Sequence, residues 1–474
     1  MWCRYRLIKP YFPCLYPNVS ITPNSPKTKG TECPRKRQRN ICRFRRFRRT
    51  NESQVHEALP AILFSFPVRL VRAQSDSLEN ARLLRSRQGL PFFFQKIKAG
   101  KNLTIGYLGG SITEAGKGWR EQSVQGLQKR YPKAQFSGIN AGVGGTGSDL
   151  GVFRVQPQIL DQKPDLVFVE FAVNDNGKKP EQIYRAMEGI VRKIWRQNPQ
   201  IDICFVYTIT ADLAPYFQRG KLPPSALAME QIAEHYGVPS VCMGLKVAAL
   251  AKEGTLLFKG KREEHPDKIV FSADNVHPYA ETGHALYAEA LDEALQQLSS
   301  QQSTLKAHLL PKPYVADHWE AARMVPFEQL KRQGNWQVLT PETDTVARLM
   351  KNRFTRLLKS TQPGDYLEVR MKGQACGLYD VMGPGCGQYV LELDSDYQQK
   401  IDRFDAYCTY YRSNFFVLPI DPQKEHTFRF RVSGEKLDKA KILKARNETI
   451  DEPRRYEENA CYAGQLLLVG ELIP

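Results

Sequence analysis

Leu103-Thr104-Ile105-Gly106-Tyr107-Leu108-Gly109-Gly110-Ser111 is a short apolar strand that runs into a glycine turn and ends on a serine. Freed of side-chain bulk on its N-terminal side, that hydroxyl can be offered to a substrate with backbone N–H groups beside it. A glycine turn carrying a solvated serine has the same appearance in isolation, because short glycine patterns commonly punctuate loops. The segments downstream separate the two readings.

Three of them follow in chain order. A strand-like run, Gln135 to Ile139, leads into Asn140-Ala141-Gly142-Val143-Gly144-Gly145-Thr146-Gly147, a second glycine-rich turn whose bare backbone can aim an amide at an oxyanion. Asp165-Leu166-Val167-Phe168-Val169-Glu170-Phe171-Ala172-Val173 is a near-continuous apolar run of the buried parallel-strand type, ending in Asn174-Asp175-Asn176. This puts a carboxamide at a strand's C-terminal end, where a helix cap would also account for it. Asp274-Asn275-Val276-His277-Pro278 sets a carboxylate three residues before an imidazole. At that separation the Asp can accept the Nδ1 proton and leave Nε2 facing a serine.

Together these segments resemble the SGNH hydrolases, the GDSL-type esterases, whose name lists the residue types Ser, Gly, Asn and His. The matching positions are Ser111 in GGSIT, Gly145 in NAGVGGTG, Asn174 in FAVND, and His277 with Asp274 in DNVH. Two positions depart from the family pattern. The usual Asp between Gly and Ser is Gly110, as in a GGSIT-type subgroup, and the glycine two before the Asn is Ala172, which adds a methyl near the pocket floor. Gly144 competes with Gly145 as the amide donor. The resemblance implies that His277 takes the Ser111 proton as the hydroxyl attacks an ester carbonyl, while Asp274 holds the imidazole tautomer. It implies an oxyanion hole built from the Ser111 N–H, the Gly145 N–H and the Asn174 side chain, and chemistry that requires neither metal nor organic cofactor.

Periodicity bounds the architecture. Strand-like runs at 103–108, 135–139, 165–172 and 201–208, with a shorter one at 239–242, alternate with helical stretches at 119–130, 148–161, 181–197, 223–236 and 281–298. The alternation predicts βαβ units and a three-layer α/β/α domain with a parallel sheet over 76–300; the resemblance adds a flavodoxin-like strand order. In such open sheets ligands bind beyond the carboxyl ends of the strands, where Ser111, Gly145 and Asn174 all fall. From 301 to 335 the pattern loosens into a connector through Pro311-Lys312-Pro313. From 336 to 474 it changes in kind: Asp365–Met371, Gln388–Leu393, His426–Val432 and Gly464–Val469 read as strands of an antiparallel β-sandwich, resembling accessory domains beside carbohydrate esterases.

The formal charge of +18 suggests nucleic acid until its distribution is read. Residues 1–57 hold 14 Lys/Arg against three Glu, which leaves only +7 for the other 417 positions. The basicity therefore belongs to a tail, expected to be disordered, and no nucleic-acid partner is expected of the rest. Residues 58–75 form a signal-like apolar segment compatible with export, interrupted by Pro67 and Arg69. No segment reaches the ~20 uninterrupted apolar residues of a spanning helix.

Among the ten cysteines, Cys3, Cys14, Cys33 and Cys42 lie in the tail without tight CxxC pairs, so no zinc site is assigned. Cys376, Cys386, Cys408 and Cys461 fit one or two disulfides or a reduced set equally. Tyr379, Tyr407, Tyr410, Tyr411 and Trp336 are either sugar platforms or sandwich core. Glu170 reads as a buried brace for the Asn174 loop or as a pocket group, His284 as a packing or capping residue, and Gly254 to Ile269 as a solvated loop or a rim. The reading these features support is a serine esterase removing acetyl or similar short acyl groups from a carbohydrate. A lipase- or thioesterase-type acylhydrolase and a non-catalytic glycan-binding surface protein are the alternatives, because the four motifs alone do not select the substrate.

Overall fold

In the computed structural model the residues described are 77–301 and 304–474. The readings placed on residues 1–57 and 58–75, and on the four N-terminal cysteines, lie outside them. No helix among the described residues is long and apolar enough to cross a membrane.

The first sheet comprises β1 (Leu84–Arg85), β2 (Asn102–Gly109), β3 (Gln135–Gly142), β4 (Leu166–Glu170), β5 (Asp202–Tyr207) and β6 (Ser240–Cys242), in the order β1-β6-β5-β4-β2-β3. All pairings are parallel except the short antiparallel β1–β6 edge. The chain leaves β2 for the β3 edge, then crosses back to β4, so the order reverses between β2 and β4. That reversal is the flavodoxin-like switch point. Every residue of β4 and β5 is buried, as near-continuous apolar runs require when helices cover both faces, whereas β3 is exposed over most of its length.

The layers above and below are α1 (Pro91–Lys98), the single turn α2 (Ser111–Glu114), α3 (Trp119–Arg130), α4 (Ser148–Gln158), α5 (Pro180–Gln197), α6 (Ala214–Gln218), α7 (Pro224–Tyr236), α8 (Gly244–Lys252) and α9 (Gly283–Ser299). The stretch Gly254 to Ile269 is not a plain loop. It carries β7 (Leu256–Lys259), which pairs in parallel with β8 (Ile269–Ser272), and β8 feeds directly into the Asp274 turn.

The connector is ordered against α5 by buried polar groups. His308 donates to or accepts from Asp202 at 2.8 Å and stacks on Trp195 at 4.7 Å between ring centroids. The Glu188 carboxylate, fully buried, accepts the N–H groups of Tyr314 at 2.6 Å and Val315 at 2.8 Å. Beyond it, residues expected to belong to the connector form β9 (Ala322–Pro326), which pairs with the last strand of the second sheet. At five residues, ending on Pro326, it is too short for alternation to stand out in the sequence.

That second sheet is antiparallel and centres on a 17-residue strand, Tyr366–Met382, which bends enough to pair with several neighbours, including Arg412–Pro419, Glu425–Val432 and Gln465–Leu472. A three-stranded sheet of Gln337–Leu339, Leu357–Ser360 and Cys461–Ala463 packs with it, completing the antiparallel β-sandwich. The six described cysteines are buried thiols. Phe354, Tyr379, Leu467 and Val469 of the sandwich join the same apolar cluster as the parallel sheet and its helices, so Ser77–Pro474 is a single compact unit.

Gly189, inside α5, marks how closely the connector is held. A Cβ there would lie 2.7 Å from the Trp319 carbonyl carbon and 2.9 Å from Val152 Cγ2. Gly→Ala in an open helix gains about 1 kcal/mol of helix propensity. Here the backbone clash outweighs it, so Gly189→Ala is expected to destabilise the protein by about 1–3 kcal/mol net, read as a lower urea midpoint.

Candidate active site

Ser111 opens α2 immediately after β2, so its Oγ stands at the strand's carboxyl end. It lies 2.9 Å from His277 Nε2, 166 residues away in the chain. His277 Nδ1 lies 2.8 Å from Asp274 Oδ2. The turn that makes this contact is held by its own backbone: the N–H groups of Val276 and His277 donate to Asp274 Oδ1 at 3.0 and 2.8 Å. Ser272 Oγ accepts the Asn275 N–H at 2.7 Å, and Asn275 adopts the left-handed region (φ 73°) that Asn tolerates better than most residues. Burial pushes the Asp274 carboxyl upward, but the His277 ring and the two backbone donors outweigh it and hold the group below its ordinary value. An ionised acceptor at this distance keeps the proton on Nδ1 and leaves Nε2 as the acceptor for the serine hydroxyl.

The two glycine turns and the Asn174 loop border the serine. Asn174 packs directly over Gly110, where a Cβ would fall 2.0 Å from Asn174 Oδ1. This explains the departure from the family's Asp: at residue 110 the volume of a side chain is already taken by the carboxamide. In the second turn the Gly144 N–H donates to Glu114 Oε2 at 2.7 Å, and Gly145 follows with φ 71°, a conformation open to glycine at little cost. Ala172 is fully enclosed in the core and its carbonyl accepts the Ser225 hydroxyl. Asp175 ties the loops together by accepting the Ser148 N–H at the start of α4 (3.1 Å) and Lys178 Nζ (2.9 Å).

Two buried ionisable groups lie beneath these loops. Glu170, at the end of β4, accepts the hydroxyls of Thr113 (2.9 Å) and Thr208 (2.7 Å) and a hydrogen bond from the Gly110 backbone. It is buried as expected, but what it holds is the serine turn and Thr208 beyond β5 rather than the Asn174 loop. Arg154, on α4, was invisible to motif reading. Its guanidinium is fully buried and donates to Ala141 O at 2.7 Å, Gly109 O at 3.2 Å and Gln158 Oε1 at 2.7 Å, linking the ends of β2 and β3. Burial lowers its pKa to about 10, which leaves it charged at neutral pH. The one available signal was an arginine inside the apolar stretch Val152-Phe153-Arg154-Val155.

His284 is a cap. Its Nδ1 accepts the Trp119 N–H at 3.2 Å at the start of α3, and burial, aided by the His277 ring, lowers its pKa to about 4. Of the aromatics considered as sugar platforms, Tyr379 is core and bonds Ser413 at 3.2 Å, Tyr411 accepts the Gly385 N–H, and Trp336 packs against the sandwich cluster. The Arg446 guanidinium lies 3.8 Å from the Tyr407 ring centroid and covers that face. Tyr410 is exposed.

Burial pushes the Glu170 carboxyl from 4.5 up to about 7, with its hydroxyl and backbone donors opposing the rise. The folded chain therefore binds this proton more tightly than the unfolded chain. Stability is expected to fall as pH rises from about 4.5 to about 7, on the order of 3 kcal/mol, and then to level off. Urea titrations at pH 4.5 and pH 8 test this: Glu170→Gln, which stays neutral, should lose that component of the pH slope.

Residues 107–286 match the GDSL-like Lipase/Acylhydrolase family. No curated protein matches the chain in sequence. Two crystal structures of a two-domain esterase (CEX) active on acetylated mannans, one of them with mannopentaose, share the architecture. They are 19% and 20% identical with TM-scores of 0.63 and 0.65, each covers 83% of this chain, and the chain spans 100% and 98% of theirs. At that identity the likeness is one of fold, and it extends through both the parallel sheet and the antiparallel sandwich. The matched segment runs from within β2 through the His277 turn, so residues 107–286 are similar to the GDSL-like lipase/acylhydrolases, and the chain is a carboxylic ester hydrolase with a β-sandwich second domain.

Proposed function

We propose that Ser111 is the nucleophile, His277 the general base and acid, and Asp274 the residue that orients the imidazole. The observation that carries this is the continuous chain from Ser111 Oγ through both imidazole nitrogens to Asp274, with separations of 2.9 and 2.8 Å. His277 takes the hydroxyl proton as Oγ adds to the ester carbonyl, then delivers it to the departing alcohol oxygen. A water, deprotonated by the same imidazole, hydrolyses the acyl-enzyme and restores the serine. The developing oxyanion would be met by the N–H groups of Ser111 and Gly145 and the Asn174 carboxamide. Gly145 is assigned over Gly144 because the Gly144 N–H is already committed to Glu114. Each such donor is worth about a hundredfold or more in rate.

The proposed substrate is an acylated carbohydrate carrying acetyl or a similarly short acyl group. Support comes from the architecture shared with an esterase active on acetylated mannans, and from a signal-like N-terminal segment that would bring the enzyme to a polymeric substrate outside the cell.

Ser111→Ala is expected to lower p-nitrophenyl acetate hydrolysis by at least about 10³-fold with an unchanged thermal midpoint. Asp274→Asn, which disturbs the imidazole tautomer, should cost on the order of 10³–10⁴ in kcat. Retained turnover in Ser111→Ala rejects the mechanism. Mass spectrometry of acyl groups released from acetylated polysaccharides, with p-nitrophenyl octanoate as the lipase-type comparison, tests the substrate class.

A further inference from the structure

An ion pair joins the sandwich domain to the hydrolase site. Arg353, in the segment before Leu357–Ser360, directs Nη2 to Glu114 Oε1. Glu114 is three residues past Ser111 on the same single-turn helix, and its other oxygen, Oε2, accepts the Gly144 N–H at 2.7 Å. One carboxylate is therefore gripped on one side by the second domain and grips, on the other, the turn that presents Gly145. The contact is close, since a Cβ on Gly144 would stand 3.1 Å from Glu114 Oε2 and 3.6 Å from Ser111 Cβ. Among the described residues the same turn is also held by the Val143 N–H to Gly109 O (3.0 Å), by Asn140, whose amide donates to Glu114 O (3.1 Å), and by Thr146 and Arg154 below it.

We infer that Arg353 is a positioning residue for ester hydrolysis, by which the β-sandwich domain orders the Gly144–Gly145 turn through Glu114. This rests on the proposed function, in which the Gly145 N–H is an oxyanion donor. The Gly144 and Gly145 amides belong to consecutive peptide planes, so holding the first restricts the rotation available to the second. With Arg353 the Glu114 side chain is fixed at both oxygens. Without it the carboxylate is free to swing toward solvent, which is close, because Glu114 is 37% exposed. The sandwich then contributes to turnover of any ester, including one too small to touch it, which a domain acting only as a glycan holder would not do.

The experiment compares wild type, Arg353→Met, Arg353→Lys, Glu114→Ala and the Glu114→Ala/Arg353→Met double variant on p-nitrophenyl acetate, with thermal midpoints as the check on folding. Since deletion of a donor costs 10²–10³, a donor that is loosened but present should cost about tenfold in kcat, with KM within about twofold. Glu114→Ala should cost about a hundredfold, the double variant no more than Glu114→Ala, because both act through one carboxylate, and Arg353→Lys should recover most of the loss. Amide hydrogen exchange over residues 139–147 reads the same link without turnover, and should quicken in Arg353→Met. Unchanged kcat and exchange in Arg353→Met overturn the inference, as does full additivity in the double variant. A loss confined to KM for acetylated polysaccharide also overturns it and makes Arg353 a substrate contact. If wild type hydrolyses no ester while exchange still quickens in Arg353→Met, the proposed function fails and the mechanical link stands.

Discussion

The site depends on three loops leaving adjacent parallel strands on either side of the point where strand order reverses. At that reversal the connections from β2 and β4 depart to opposite sides, and a crevice opens without any strand being shortened. The serine turn, the Gly144–Gly145 turn and the Asn174 loop all edge this crevice, so none needs to be long. Short loops lose little conformational entropy on ordering and hold polar groups at fixed separations. The fourth contribution, the Asp274–His277 turn, arrives from the far end of the domain and is shaped by its own backbone hydrogen bonds before it meets Ser111.

Beneath the crevice the chain places ionisable groups where apolar packing would be more usual. Glu170 and Arg154 are both fully buried, and each is satisfied mainly by backbone and hydroxyl groups of the loops above. An isolated buried charge is costly, and removing any of its partners leaves that cost unrelieved. The arrangement therefore penalises loop conformations that abandon these groups. Asp175 plays a similar part between the Asn174 loop and the start of α4. The polar groups under the candidate site therefore favour a single arrangement of its loops.

The second domain is not a bead on a string. Its long central strand contributes Tyr379 to the apolar cluster of the hydrolase, and the connector is fastened to α5 by Glu188 and the Trp195–His308 stack and to the start of β5 by Asp202. A shared core makes large relative motion of the two sheets costly, since it would expose apolar surface on both. It also brings Arg353 to Glu114, a contact between residues 239 positions apart.

Chain pattern and fold agree where the physics is local. The runs at 103–108 and 165–172 became β2 and β4 because largely apolar stretches of that length bury as central strands, whereas the more polar run at 135–139 became β3 at the exposed edge of the sheet. Ser111, His277 and Asp274 stood out in short turn motifs, and the fold brings these three side chains into contact. The small strand β9 and the long bent strand Tyr366–Met382 were underread, since their boundaries are set by partners far along the chain. Arg154 and Arg353 escaped for the same reason: an arginine carries no local signature of what it will touch. By itself the chain determined the elements, the reactive residue types and the parallel sheet, all products of short-range sterics and periodic burial. Which glycine N–H was left uncommitted, why residue 110 has no room for a side chain, and that a second domain grips the first at Glu114 were decided by packing between distant segments, because only closure of the whole chain sets those distances.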